Sequence, residues 1–129
     1  MTEPRAVRAR NALLQSLHLL KGLDARISVN EAIAFLYAAE ADGLTVQEVA
    51  RLAGLTQSTA SRSLRALGPS DSPWSQSPAL GLVEAYLHPT DARSHMVCLS
   101  ARGREVRDRL DGIILQAVTI APEMESRAA

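Results

Sequence analysis

Residues 45–67 read TVQEVARLAGLTQSTASRSLRAL, and this stretch decides the fold. Thr45-Val46-Gln47-Glu48 has the form of a capping box, in which the threonine oxygen accepts from a backbone N–H and the glutamate reaches back to the N–H of the cap. A helix is therefore expected from about Val46. Val49, Ala50 and Ala53 share one of its faces, and Gly54 ends it, because glycine enters the left-handed conformation without a Cβ penalty. Leu55 then dips into the core and Thr56 caps a second helix. There Ala60, Leu64 and Leu67 fall at i, i+4 and i+7 and make the core face, while Ser58, Ser61, Arg62 and Arg65 make the opposite one. The pattern is that of a helix-turn-helix.

The outward face of the second helix carries short hydroxyls and arginines. Serine and threonine suit phosphates and either kind of base pair, arginine forks onto guanine, and Gln57 near the helix start is placed to pair with adenine. Thr56, Gln57, Ser58, Thr59, Ser61, Arg62 and Arg65 are thus the candidate contacts with a major groove. The alternative is an ordinary solvated helix face.

Downstream, two apolar-rich runs at residues 82–87 and 96–100 flank the polar stretch His88-Pro89-Thr90-Asp91-Ala92-Arg93-Ser94. Pro89 pre-sets a turn angle and Asp91 can bond its own turn, so a β-hairpin with a loop over residues 88–94 is expected. A guanidinium at such a tip suits a narrow minor groove, where negative potential is concentrated. Arg93 is assigned that contact and Asp91 the role of aiming it, with Ser94 and His88 beside them. Taken alone, the triplet also reads as a solvated turn with a local ion pair worth at most about 1 kcal/mol.

This order of parts resembles the MarR family of winged-helix transcription regulators. The likeness is carried by residues 45–50, by residues 54–62, by Gly81-Leu82-Val83, and by Asp91, Arg93, Val97, Leu99, Ser100 and Gly103, and it covers roughly residues 27–118. It implies that the second helix enters the major groove, that the wing arginine enters the minor groove, and that the terminal helices build a dimer. Two departures stand out. The terminal region is shorter than is usual in the family, and residues 68–80 make a longer passage from recognition helix to wing.

With 129 residues, 47% of them hydrophobic, the chain is expected to form one domain over residues 1–122, leaving residues 123–129 as a frayed tail. Fourteen basic and fourteen acidic residues cancel, so no global field draws the chain to nucleic acid. The distribution is uneven. Residues 51–68 hold three arginines and no acid, whereas residues 23–50 hold five acids against Arg26, so one face is positive and another negative. The single cysteine, Cys98, excludes an intrachain disulfide and fits a reducing compartment. No apolar run approaches the ~20 residues of a membrane span, and a soluble, cytoplasmic protein with no membrane partner is expected.

The fold class expected is mainly α with a small antiparallel hairpin wing, a winged helix-turn-helix flanked by N- and C-terminal dimerisation helices. Pro4 opens a first helix to about Leu20, with Leu13, Leu17 and Leu20 on one stripe, Leu14 beside it and Gly22 as its stop. Ser28 and Glu31 form a second capping box, for a helix over residues 29–41 that buries Val29, Ile33 and Leu36 and is ended by Gly43. Ser100 caps the last helix, where Val106, Leu110, Ile113, Ala117 and either Ile114 or Val118 keep a helical period up to Pro122. Its apolar residues, Ile113, Ile114, Leu115, Val118 and Ile120, surround too much of its circumference for a lone surface helix. A two-fold homodimer through Leu13, Leu17, Leu20, Ile113, Ile114 and Val118 is expected, though packing within one chain is the alternative. Two recognition helices about 34 Å apart would then read half-sites one DNA turn apart.

Residues 68–80 contain Pro69, Pro73 and Pro78, four serines, no basic residue, and Trp74 in the middle. Regular structure is excluded and Trp74 is expected to plug the core, the alternative being a lid or a contact with DNA flanks or protein. His88, His95 and Cys98 match no zinc spacing, so no metal and no cofactor are expected. Cys98 reads as a small strand hydrophobe rather than a redox switch, and His18 as a core-edge histidine. No phosphate-cradling glycine loop and no nucleophile–base set is present, so an enzyme is not expected. The leading reading is a sequence-specific regulator of double-stranded DNA, a repressor by resemblance, with a small-molecule effector left open. A winged-helix protein-interaction module is the alternative, and it would want apolar or acidic residues where Ser58, Ser61, Arg62 and Arg65 stand.

Overall fold

A computed structural model describes residues 3–116. Five helices and three strands follow in the order α1 (Pro4–Leu23), α2 (Val29–Glu40), β1 (Leu44–Thr45), α3 (Val46–Ala53), α4 (Gln57–Ala66), β2 (Val83–His88), β3 (Asp91–Leu99) and α5 (Ala101–Leu115). The strands form one antiparallel sheet of order β1-β3-β2. This is a winged helix-turn-helix with a helix on either side, the class expected from the sequence. Ala117, Val118, Ile120, Pro122 and the tail over residues 123–129 lie outside the described residues.

The core gathers around Phe35, Val49, Leu64, Leu67, Leu82, Val83, Val97 and Leu99, with Val106 and Leu110 closing it from α5. Each helix start has its cap. Ser28 and Thr45 both complete capping boxes with the glutamate three residues on, Thr56 accepts from the Thr59 N–H, and Ser100 from the Gly103 N–H. These caps satisfy backbone donors that a helix start otherwise leaves open.

Several expectations require correction. Helix α1 runs through Gly22 to Leu23, because its last turn packs inward through Leu19, Leu20 and Leu23. Leu20 is therefore a core residue rather than part of the outer stripe, which consists of Leu13 (61% exposed), Leu14 and Leu17 (51%). His18 is exposed as well. In α2 the buried face is Ala34, Phe35 and Ala38, while Val29 and Leu36 are 73% and 49% exposed. The small alanines let α4 approach closely beside Phe35, while Ile33 is half-buried and Val29 and Leu36 are turned outward. Helix α2 ends at Glu40, with Gly43 in the turn beyond it, where its N–H bonds the Val97 carbonyl.

The wing also differs. Its turn is confined to Pro89 and Thr90, so Asp91, Ala92, Arg93 and Ser94 belong to β3 rather than to a loop. Leu87 pairs with His95 but His88 pairs with Asp91, which places residues 92–94 in a bulge on β3. A third strand, β1, joins the sheet through Leu44 opposite Val97 and Thr45 opposite Met96.

Gly103 and Gly22 both sit inside helices and face opposite surroundings. A Cβ on Gly103 would fall on the Leu82 carbonyl oxygen, whereas one on Gly22 would meet nothing within 4 Å. Overpacking costs about 1–3 kcal/mol and outweighs the ~1 kcal/mol helix-propensity gain of alanine where backbone blocks the way. Gly103→Ala is expected to lower the urea midpoint accordingly, and Gly22→Ala to raise stability by roughly 0.5–1 kcal/mol; equal effects of the two would contradict the packing described.

Candidate nucleic-acid interface

Helices α3 and α4 present one exposed surface and bury the other. Val49 and Ala50 of α3, with Ala60, Ser63, Leu64 and Ala66 of α4 and Leu67 just beyond it, seal against the core. Gly54 joins the two helices with φ +68°, and its N–H returns to the Ala50 and Arg51 carbonyls, the left-handed cap the sequence calls for. From α2, the Tyr37 hydroxyl donates to the Leu52 carbonyl at 3.0 Å and holds the far end of α3. The start of α3 is held by β1, so the pair is anchored at both ends.

On the outer face of α4, Gln57, Ser58, Arg62 and Arg65 are exposed, and Thr59 and Ser61 are half-buried. The hydroxyls nearest the helix start are partly committed. Thr56 Oγ1 accepts the Thr59 N–H at 3.1 Å and donates to Thr59 Oγ1 at 2.9 Å. Arg62 Nη2 lies 3.5 Å from the same Thr59 oxygen, which leans the guanidinium back toward the helix N-terminus. Thr56 and Thr59 thus shape the helix and aim Arg62, leaving Gln57, Ser58, Arg62 and Arg65 as the side chains best disposed to reach a partner.

At the wing, the Arg93 side chain is 97% exposed, with Nε 3.8 Å from Asp91 Oδ1. The same carboxylate oxygen accepts the Arg93 backbone N–H at 3.1 Å, so Asp91 fixes the bulge as well as flanking the guanidinium. His88 is half-buried and its Nδ1 accepts the Thr90 N–H at 3.1 Å, which makes it part of the turn. Ser94 is half-buried at the base of the bulge. A solvent-exposed ion pair of this kind adds little stability, so the arrangement orients rather than stabilises.

The other residues considered lie apart. Cys98 sits in β3 with its thiol pKa pushed up by burial and by Glu84 and Asp42, which disfavours the thiolate. His95 is engaged by Trp74, with ring centroids 5.9 Å apart, a contact no sequence pattern signals because it joins a loop to a strand. Of the aromatic residues that could line an effector site, Phe35 is in the core, Trp74 packs against it and Tyr86 is exposed on β2. An open groove of about 370 Å³ between α1 and α5 is lined by Gln15, Leu19, Arg109, Gly112, Ile113 and Gln116. Among the described residues no helix is long and apolar enough to cross a membrane.

The geometry defines a winged helix-turn-helix protein. Residues 37–68 match the family model of the IclR helix-turn-helix domain. No curated relative matches the chain. Among solved structures, the complex of MepR with DNA from S. aureus is similar with a TM-score of 0.65 and 19% identity, covering 90% of this chain and 86% of that one. RV1404 from Mycobacterium tuberculosis gives 0.64 at 20% identity, over 92% and 72% of the two chains. A MarR transcriptional regulator from Methanosarcina mazei Go1 gives 0.62 at 15% identity, over 84% and 69%. The fold is that of MarR-type regulators, as the resemblance in sequence implied.

The capping box at the entrance to α3 gives a pH signature. Glu48 Oε1 accepts the Thr45 N–H at 3.1 Å, and this bond, with the Thr45 side chain, lowers the Glu48 pKa. A carboxylate with a lowered folded pKa contributes stability above its unfolded value and loses it as pH falls through the folded one. Wild type should therefore exceed Glu48→Gln in thermal midpoint at neutral pH, and the gap should close as pH falls below the ordinary carboxylate range and through the lowered folded value. A gap that stays constant over that range would remove the charge from the cap.

Proposed function

We propose that this protein is a sequence-specific double-stranded DNA-binding transcription regulator that acts as a homodimer and represses its targets. The observation that carries the proposal is the outer face of α4, where Gln57, Ser58, Arg62 and Arg65 stand exposed while Ala60, Leu64 and Leu67 seal the inner one. A short helix bearing donors for base edges and cations for phosphates fits a major groove. Arg93 supplies the second contact, in the minor groove beside it, aimed by Asp91. The match to a helix-turn-helix domain and the likeness in fold to a regulator solved with DNA support the same reading. Repression is inferred from CouR, a transcriptional repressor solved on a DNA duplex, which is similar in fold with a TM-score of 0.55 and 21% identity.

The dimer is supported by apolar surface on the helices that flank the reading head. Leu13, Leu14 and Leu17 of α1 and Ile114 and Leu115 of α5 are exposed, on two helices that pack against each other. Ile113 is half-buried beside them and Leu20 serves the inner core. A small-molecule effector has its candidate place in the groove between the same two helices.

Selection of bound sequences from random duplexes at stated salt tests the reading as a whole, and should return a two-fold site. A chain that selects no sequence would favour a protein-interaction module. On the selected site, Arg62→Ala is expected to cost about 1–3 kcal/mol if it reads guanine, and Arg65→Ala to weaken all sequences alike. Arg93→Ala should lower the salt slope by about 0.9 and lose more affinity on A·T-rich than on G·C-rich flanks. In light scattering, wild type should be a dimer off DNA, and Leu17→Glu with Ile114→Glu should yield monomer; a wild-type monomer at micromolar concentration would contradict the assembly.

A further inference from the structure

From His95 outward the wing is a two-stranded ribbon, since β1 pairs with β3 only at Met96 and Val97. Two-stranded hairpins are marginal by themselves, and a bulge at residues 92–94 loosens this one further just where Arg93 stands. A guanidinium that must enter a groove needs its support held to a fraction of an ångström. The hairpin alone does not provide that.

The passage over residues 69–80 supplies a contact from the body of the domain. Its backbone is fastened to the end of α4, with the Gln76 N–H on the Arg65 carbonyl at 3.1 Å and the Leu80 N–H on the Ala66 carbonyl at 2.9 Å. Trp74 packs against the core and lies over Gly68, where a Cβ would come within 3.0 Å of the indole ring and would collide with Ser75 Oγ. The lack of a side chain at position 68 makes the seat. From that seat the indole meets the His95 ring at 5.9 Å between centroids, tilted by 31°, within the range of attractive aromatic pairs. His95 is the last paired residue before the bulge and stands two positions from Arg93.

We propose that Trp74 and His95 form a strut between the end of the recognition helix and the wing, and that they are positioning residues for the Arg93 contact with the minor groove. The proposal rests on the DNA-binding reading given above. A single ring pair is weak beside the whole core, so its loss redirects the ribbon rather than unfolding the domain. Trp74 touches no DNA in this scheme and acts through His95.

Trp74 is the chain's one tryptophan, so its emission reports the contact directly. His95→Ala should change the emission of the free protein, and an unchanged spectrum would overturn the strut. Binding is then measured by anisotropy on paired duplexes that differ only in A·T-rich or G·C-rich flanks. Trp74→Ala and His95→Ala should each lose roughly three- to tenfold on A·T-rich flanks and clearly less on G·C-rich ones. Trp74→Phe should restore most of the loss, and Trp74→Ala added to Arg93→Ala should change nothing further, because residues acting through one contact are not additive. Equal losses on both flanks, or losses that add to those of Arg93→Ala, would make the pair merely structural and overturn the proposal. If Trp74→Ala does not fold, His95→Ala on the strand carries the same comparison. Failure of the DNA reading itself looks different, because wild type would then bind neither duplex.

Discussion

The carbonyl groups at the end of α4 are the constraint on which the rest of the molecule depends. Ala66, Leu67 and Gly68 are buried, and a helix end buried without acceptors satisfied carries a heavy desolvation cost. The returning chain meets that demand residue by residue. The Leu67 carbonyl accepts from Leu82 at 2.7 Å and Val83 at 3.0 Å, and the Gly68 carbonyl accepts from Gly81 at 3.0 Å. The strand that begins the wing therefore starts as the cap of α4. Ser100 Oγ donates to the Gly81 carbonyl and Arg102 Nη1 to that of Leu80, so α5 locks the same junction from outside. Helix, wing and flanking helix meet at one cluster of backbone groups.

What was legible in the sequence was what the sequence decides locally. The capping boxes of Ser28 and Thr45, the left-handed Gly54 and the Ala60, Leu64, Leu67 face all depend on neighbours within a turn or two, and all stand as read. Where distant partners decide, the reading failed. Large side chains suggested a Val29, Ile33, Leu36 core face for α2, yet close approach of α4 selects Ala34 and Ala38 beside Phe35. Gly22 looked like a stop, but packing of Leu23 carries α1 past it. A two-residue strand such as β1 has no pattern of its own and exists only because Val97 and Met96 lie opposite.

The candidate site divides in the same way. The outward set on α4 follows from helical period, which names Ser58, Ser61, Arg62 and Arg65; three of these are exposed and Ser61 is half-buried, while Gln57 follows from its place at the helix start. Their division of labour does not follow from spacing, because the commitment of Thr56 and Thr59 to capping and to Arg62 shows only in three dimensions. Asp91 and Arg93 stand as a pair, on β3 rather than on a loop. Arg93 lies in the bulge rather than in a long turn, with its side chain exposed.

The attachment of β1 bears on how far the helix-turn-helix is a module. Leu44 and Thr45, immediately before α3, are paired with the wing strand far along the chain, and the end of α4 is finished by Leu82 and Val83. The segment over residues 37–68, which by itself matches a helix-turn-helix domain, thus borrows backbone partners from beyond both of its helices. Excised or grafted alone, it would expose the Leu67 carbonyl and the edge of β1 together. Such pairings join segments far apart in the chain, and closing those loops carries a chain-entropy cost that the local contacts of α3 with α4 do not. Substituting surface side chains of α4 consequently disturbs the fold less than transplanting residues 37–68 would.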